Sequence, residues 1–127
     1  MDPIANMLVA IKNGGLVKKS SVVIPSSKMK VAILEVLKKE GFVKTYHVSD
    51  TVTPTVEVVI AYEKGLPKIN NVTRVSKQSK RVYKGVKKIT PYKYGHGMTV
   101  FTTPKGILTD KEAKASHVGG EALFTIW

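Results

Sequence analysis

The chain has no cysteine, a single tryptophan and only nine acidic side chains among its 127 residues. Without cysteine there are no disulfides and no thiolate metal sites, a composition that suits a reducing compartment. No apolar run approaches the roughly 20 residues of a membrane-spanning helix, and Asp2-Pro3 reads as a capped helix start rather than a charged signal segment. A soluble intracellular protein is expected. His47, His96 and His117 have no mutual spacing that would place two on one helix face, so neither a metal nor a cofactor is expected.

Acid is scarcest between Glu63 and Asp110, where 46 consecutive residues include no Asp or Glu but eleven Lys or Arg. The whole chain carries a formal charge of +12, with thirteen of its 21 bases beyond residue 63. Like charges at this density repel one another on a small folded surface, and a phosphate backbone supplies the missing counter-charge. A basic membrane-surface helix fits less well, because the cations lie among Gly, Pro, Thr and β-branched residues rather than along one amphipathic helix. With 43% hydrophobic residues the chain should fold rather than behave as a basic tail.

Ile4, Leu8 and Ile11 recur at helical spacing after Pro3, until Asn13, Gly14 and Gly15 are expected to stop the helix. Ser21 to Pro25 is strand-like, and Ser26 or Ser27 caps a second helix that runs through Lys39 and closes at Gly41. Phe42 to Val48 and Thr55 to Tyr62 should pair as a hairpin across the turn at Ser49, Asp50 and Pro54. Glu63 to Pro67 breaks the pattern and marks the expected boundary between an N-terminal α+β module, 1–63, and a basic β-rich module, 64–127. In the second module Ile69 to Val75, Arg81 to Lys84 and Met98 to Thr103 read as strands. Thr109 and Glu112 form a capping box for one short helix, and Gly119-Gly120 precede a last strand from Glu121 to Trp127. The fold class is α+β: an α-β-α-β-β module beside a mostly antiparallel β module with one helix.

Candidate contacts follow from residue chemistry. Lys28 and Lys30 sit in the first turn of the second helix, where the helix dipole favours an anion; they are either simply solvated or, as the basic chain favours, placed for phosphate docking. Tyr83, flanked by Arg81 and Lys84, offers an aromatic plane between charges. Thr102, Thr103 and Lys105 concentrate hydroxyls, amides and a cation at a bend suited to ribose hydroxyls, phosphates and base edges. Gly95-His96-Gly97 and Lys105-Gly106 lack the spacing of nucleotide-binding loops. No acid–base pair suggests a nuclease, so no enzyme and no catalytic residue is expected.

Several linked segments resemble the bacterial-type small-subunit ribosomal protein eight family over essentially the whole length. They are Asp2 to Leu8 with Ile11-Lys12-Asn13, Ile24 to Lys30, Leu37 to Phe42, Arg74 to Lys77, Arg81 to Lys84, Thr102 to Asp110 and Gly119-Gly120-Glu121. The resemblance implies a non-catalytic constituent of the small ribosomal subunit, cytoplasmic or organellar, that binds the central domain of 16S-type ribosomal RNA and supports assembly. It implies contacts with neighbouring small-subunit proteins and, in some members, with the operon messenger. A free regulator acting on messenger RNA off the ribosome is the alternative. Arg74 and Lys77 join the RNA-contacting set, as do Thr102, Thr103 and Pro104 at the family's hydroxyl-rich turn and Gly119, Gly120 and Glu121. Pro104 departs from the family's last serine and lacks both hydroxyl and N–H. Gln78 and Ser79 replace a typical Pro-Gly, and His96 an apolar residue. For Glu121, RNA contact, orientation of a neighbouring cation and a structural acceptor role all stand open.

Overall fold

A computed structural model describes residues 3–49, 52–76, 80–89 and 97–127. The expected Asp2 cap and the positions of Asp50, Lys77, Gln78, Ser79 and His96 lie outside the described residues. The chain is α+β and forms two compact units, Pro3–Asn70 and Asn71–Trp127.

The first unit comprises α1 (Pro3–Leu16), β1 (Ser21–Pro25), α2 (Lys28–Lys39), β2 (Val43–Ser49), β3 (Thr55–Ile60), β4 (Tyr62–Glu63) and β5 (Leu66–Pro67). Strands β1, β3 and β2 form an antiparallel sheet in that order, the last two as the expected hairpin. Val56, Val58 and Ile60 alternate along β3 toward a core completed by Met7, Leu8 and Ile11 of α1 and Ile33, Leu34 and Leu37 of α2. The Ser27 hydroxyl accepts the Lys30 N–H at 3.2 Å to cap α2, and Gly41 follows the helix at φ +85°. Tyr62 to Pro67, spanning the expected module boundary, folds as a two-strand hairpin turned by Lys64 and Gly65.

Helix α1 does not stop at Asn13, as its Asn-Gly-Gly sequence suggested, but continues to Leu16. The glycines there serve packing rather than termination. A Cβ on Gly14 would lie 2.7 Å from Val22 Cγ1 and 2.9 Å from Ile60 Cδ1, so the helix approaches the sheet closely enough that even a methyl group would have to push both side chains aside. Beyond Leu16 the chain leaves the helix through Lys18, in the left-handed region at φ 58°, and the Lys19 N–H reaches the Gly14 carbonyl at 2.9 Å. Gly14→Ala gains about 1 kcal/mol of helix propensity against about 1–3 kcal/mol of overpacking. A net loss of about 1 kcal/mol in a urea melt is expected.

The Tyr46 hydroxyl donates to Glu35 Oε2 at 2.6 Å, joining β2 to α2. That hydrogen bond to a carboxylate, with some burial and Coulomb repulsion, raises the phenol pKa above its ordinary value of 10.0. The contribution of this bond to stability is complete below that value and is lost as pH rises through the raised one. In an ultraviolet titration of the folded protein, Tyr46 should ionise above the ordinary tyrosine range, and Tyr46→Phe should remove that late phase.

The second unit contains β6 (Val72–Arg74), β7 (Tyr83–Lys84), a 3-10 turn (Val86–Lys88), β8 (Met98–Thr103), β9 (Gly106–Thr109), α3 (Asp110–Ala115) and β10 (Gly120–Ile126). Strand β10 is central, pairing with β6, β7 and β8, while β9 extends the sheet from β8. Only Val72 to Arg74 and Tyr83-Lys84 pair within the longer segments expected as strands. Strand β9 was not anticipated, because a four-residue run before a helix cap has too little periodicity to register. Ile89, Phe101, Ala113 and Ala122 form a core with Val75, Leu108 and Val118. The capping box of α3 is present: Thr109 Oγ1 accepts the Glu112 N–H and the Glu112 carboxylate accepts the Thr109 N–H, each at 3.2 Å.

Candidate nucleic-acid interface

Strand β10 brings together segments singled out for their chemistry. Its pairing places Glu121 opposite Tyr83 on one side and Thr102 on the other, with Gly120 opposite Lys84. Cross-strand partners share a face of a sheet, so Tyr83, Glu121 and Thr102 belong to one face and Lys84 and Gly120 to the other. Tyr83 is 70% exposed, and its ring is open for stacking. Arg81 lies two residues before Tyr83 and donates through Nη1 to Glu121 Oε2 at 3.1 Å. The Ala122 N–H donates to the Val82 carbonyl at 2.8 Å and fastens this segment to β10.

The adjacent hairpin turn is closed by Thr103. Its hydroxyl donates to the Gly106 carbonyl at 2.8 Å and accepts the Lys105 N–H at 3.1 Å. Gly106 adopts φ +110°, a conformation that demands glycine. Pro104 is exposed in this turn. Its missing N–H is not needed for closure, since the amide donor belongs to Lys105. The Lys105 ammonium lies 3.4 Å from the Ser116 carbonyl, beside the turn.

Gly119 and Gly120 have a packing explanation. A Cβ on Gly119 would sit 2.4 Å from the Lys84 carbonyl oxygen, and one on Gly120 2.2 Å from that of Thr102. Strand β10 therefore passes between the ends of β7 and β8 at distances only glycine allows.

The remaining candidates have other surroundings. Arg74 donates through Nη1 to the Leu123 carbonyl, at the bulge between Ala122 and Phe124 where β10 shifts register against β8. In the first unit Lys28 is exposed, whereas Lys30 is 9% exposed and its ammonium donates to the Pro25 carbonyl at 3.0 Å, bracing α2 against β1. Two features escaped the sequence reading. Ser76 is fully buried, and its hydroxyl accepts the Val82 N–H at 2.9 Å, tying the residues after β6 to those before β7. Lys87 and Lys88 are exposed in the 3-10 turn after β7, and their doublet in the acid-free stretch was the available signal.

Among the described residues no cluster of three or more His, Asp or Glu could hold a metal ion, and no helix is long and apolar enough to cross a membrane. Fold and surface together define a class: a small basic α+β protein that presents cations, a tyrosine and a hydroxyl-rich turn around one strand junction. The family model for ribosomal protein S8 matches residues 2–127, and the chain belongs to that family. It is similar to the small ribosomal subunit protein uS8 of Novosphingobium aromaticivorans, 42% identical over 127 residues, covering 99% of this chain and 97% of the relative. It is likewise similar to the uS8 proteins of Albidiferax ferrireducens, 44% identical with 96% and 94% covered, and of Azoarcus sp., 45% identical with 98% and 96% covered. Family membership makes the chain a structural ribosomal component and not an enzyme.

Proposed function

We propose that this chain binds the central domain of small-subunit ribosomal RNA during subunit assembly, in the cytoplasm, through its second unit. The observation that carries this reading is the convergence of Arg81, Tyr83, Lys84, Thr102, Thr103 and Lys105 on strand β10 and its neighbours, within a stretch depleted of acid. Lysines contribute affinity through counterion release, while the tyrosine and the closed turn give placement. Neighbouring small-subunit proteins are its further partners in the particle, consistent with the names of its relatives.

Chemical footprinting of small-subunit RNA, with and without the protein, tests the reading. Protection confined to the central domain is expected. If about six phosphates are neutralised, log affinity should fall with log salt at a slope near −4 to −5. A salt-independent affinity, or equal binding to any duplex of the same length, would refute it. Thr103→Ala frees both turn hydrogen bonds and should weaken specific binding by about 1 to 3 kcal/mol, measured by filter retention on the protected segment.

A further inference from the structure

Among the described residues Glu121 is the only acidic one in the sheet of the second unit, and it lies where an RNA-binding reading has least use for negative charge. Its side chain is only 10% exposed, against 52% for Arg81. It has little surface with which to touch a ligand, yet its carboxylate holds one nitrogen of the half-exposed guanidinium at 3.1 Å. Arg81 is thereby steered in orientation, and the neighbouring carboxylate offsets part of its field. A partly neutralised, oriented guanidinium is a poor attractor of phosphate, for which counterion release rewards free charge. It is well suited to directional donation toward the paired acceptors on a purine edge, because the fork geometry fits them. Two residues along the same segment, Tyr83 leaves its ring open as a stacking plane.

Given the reading of the second unit as an RNA-binding surface, we infer that Glu121 is a positioning residue that presents Arg81 to the edge of an unstacked purine beside Tyr83. The pair supplies specificity, and the surrounding lysines supply affinity. Simple electrostatics makes the opposite prediction. Removing an acid from a chain of charge +12 should strengthen binding to every RNA.

Two probes separate these cases: an RNA hairpin copied from the footprinted segment and a plain duplex of the same length. Glu121→Gln should weaken binding to the hairpin roughly ten- to a hundredfold, the discrimination of one bidentate base contact, while duplex binding is unchanged or stronger. In an Arg81→Ala background the same substitution should no longer weaken hairpin binding, so its effect vanishes or changes sign. Arg81→Lys keeps the charge and loses the fork. It should reduce the hairpin-to-duplex ratio similarly with the salt slope unchanged, and it serves if Glu121→Gln melts early. If Glu121→Gln strengthens hairpin and duplex binding alike, or if Arg81→Lys leaves the ratio intact, the positioning role is wrong while RNA binding stands. If the parent protein fails to prefer the hairpin, the RNA-binding reading falls and this role with it.

Discussion

Gly120→Ala is expected to be strongly damaging to the second unit. The added Cβ would stand 2.2 Å from the Thr102 carbonyl oxygen and 3.0 Å from both the Thr102 carbonyl carbon and Thr103 Cγ2. Two of these are backbone atoms of the adjacent strand, so no rotamer change relieves the contact and β10 must move away from β8. Overpacking against yielding side chains costs about 1–3 kcal/mol; against backbone the upper end or beyond is expected, out of a total stability of about 5–15 kcal/mol. The displacement would also disturb Glu121 and the turn at Thr103, so RNA binding should fail together with the fold. Gly85 supplies the control, since a Cβ there meets nothing within 4 Å and Gly85→Ala should be near neutral. Urea midpoints for the two variants decide the matter. A loss below about 0.5 kcal/mol for Gly120→Ala, within the range of ordinary surface changes, would mean that the strands are less closely seated.

Replacing Lys84, Lys87 and Lys105 together by Gln should leave the fold intact and remove most RNA affinity. All three are exposed, and the hydrogen bond of Lys105 to Ser116, at 3.4 Å, is marginal. Removing like charges from a chain of +12 relieves repulsion, so the melt should not fall. If each lysine neutralises one phosphate, the salt slope should decrease by about 0.7–0.9 per residue, and at 0.1 M salt each lost contact costs roughly five- to eightfold. The triple variant should therefore bind roughly 100- to 500-fold more weakly at that salt. Because phosphates carry no sequence information, the loss should be equal on the footprinted hairpin and on plain duplex. A loss confined to the hairpin would reassign these lysines to base recognition. This pattern is the reverse of that expected for Arg81 and Glu121, so the two sets of variants partition the surface into cations that attract and a pair that discriminates.

What could be read along the chain depended on interactions between near neighbours. Ser27 capping α2, Thr109 and Glu112 closing on each other and Gly41 leaving α2 in the left-handed region are each settled within a few residues. The hairpin of β2 and β3 followed from alternation and its turn. Charge asymmetry is a property of composition, and with it came the expectation of a nucleic-acid partner, while the family resemblance rested on the order and spacing of linked segments. Other features depended on distant parts of the chain. Gly14 and Gly15 looked like a stop signal because a close approach of helix to sheet leaves no mark in local sequence. Lys30 looked like a phosphate ligand because its nearest polar partner, the Pro25 carbonyl, is brought within reach only when α2 packs beside β1.

By itself, then, the sequence determined the class of fold, the caps of α2 and α3, the cationic character of the second half and the set of candidate residues. Tertiary structure alone decided which of those residues meet: that Arg81 finds Glu121 at a sequence separation of 40, and that Gly119 and Gly120 are required by the strands on either side. The physical reason is range. Capping, alternation and composition act over a few residues, whereas strand register and backbone approach arise only after distant segments have been brought together, and they set the geometry of the surface.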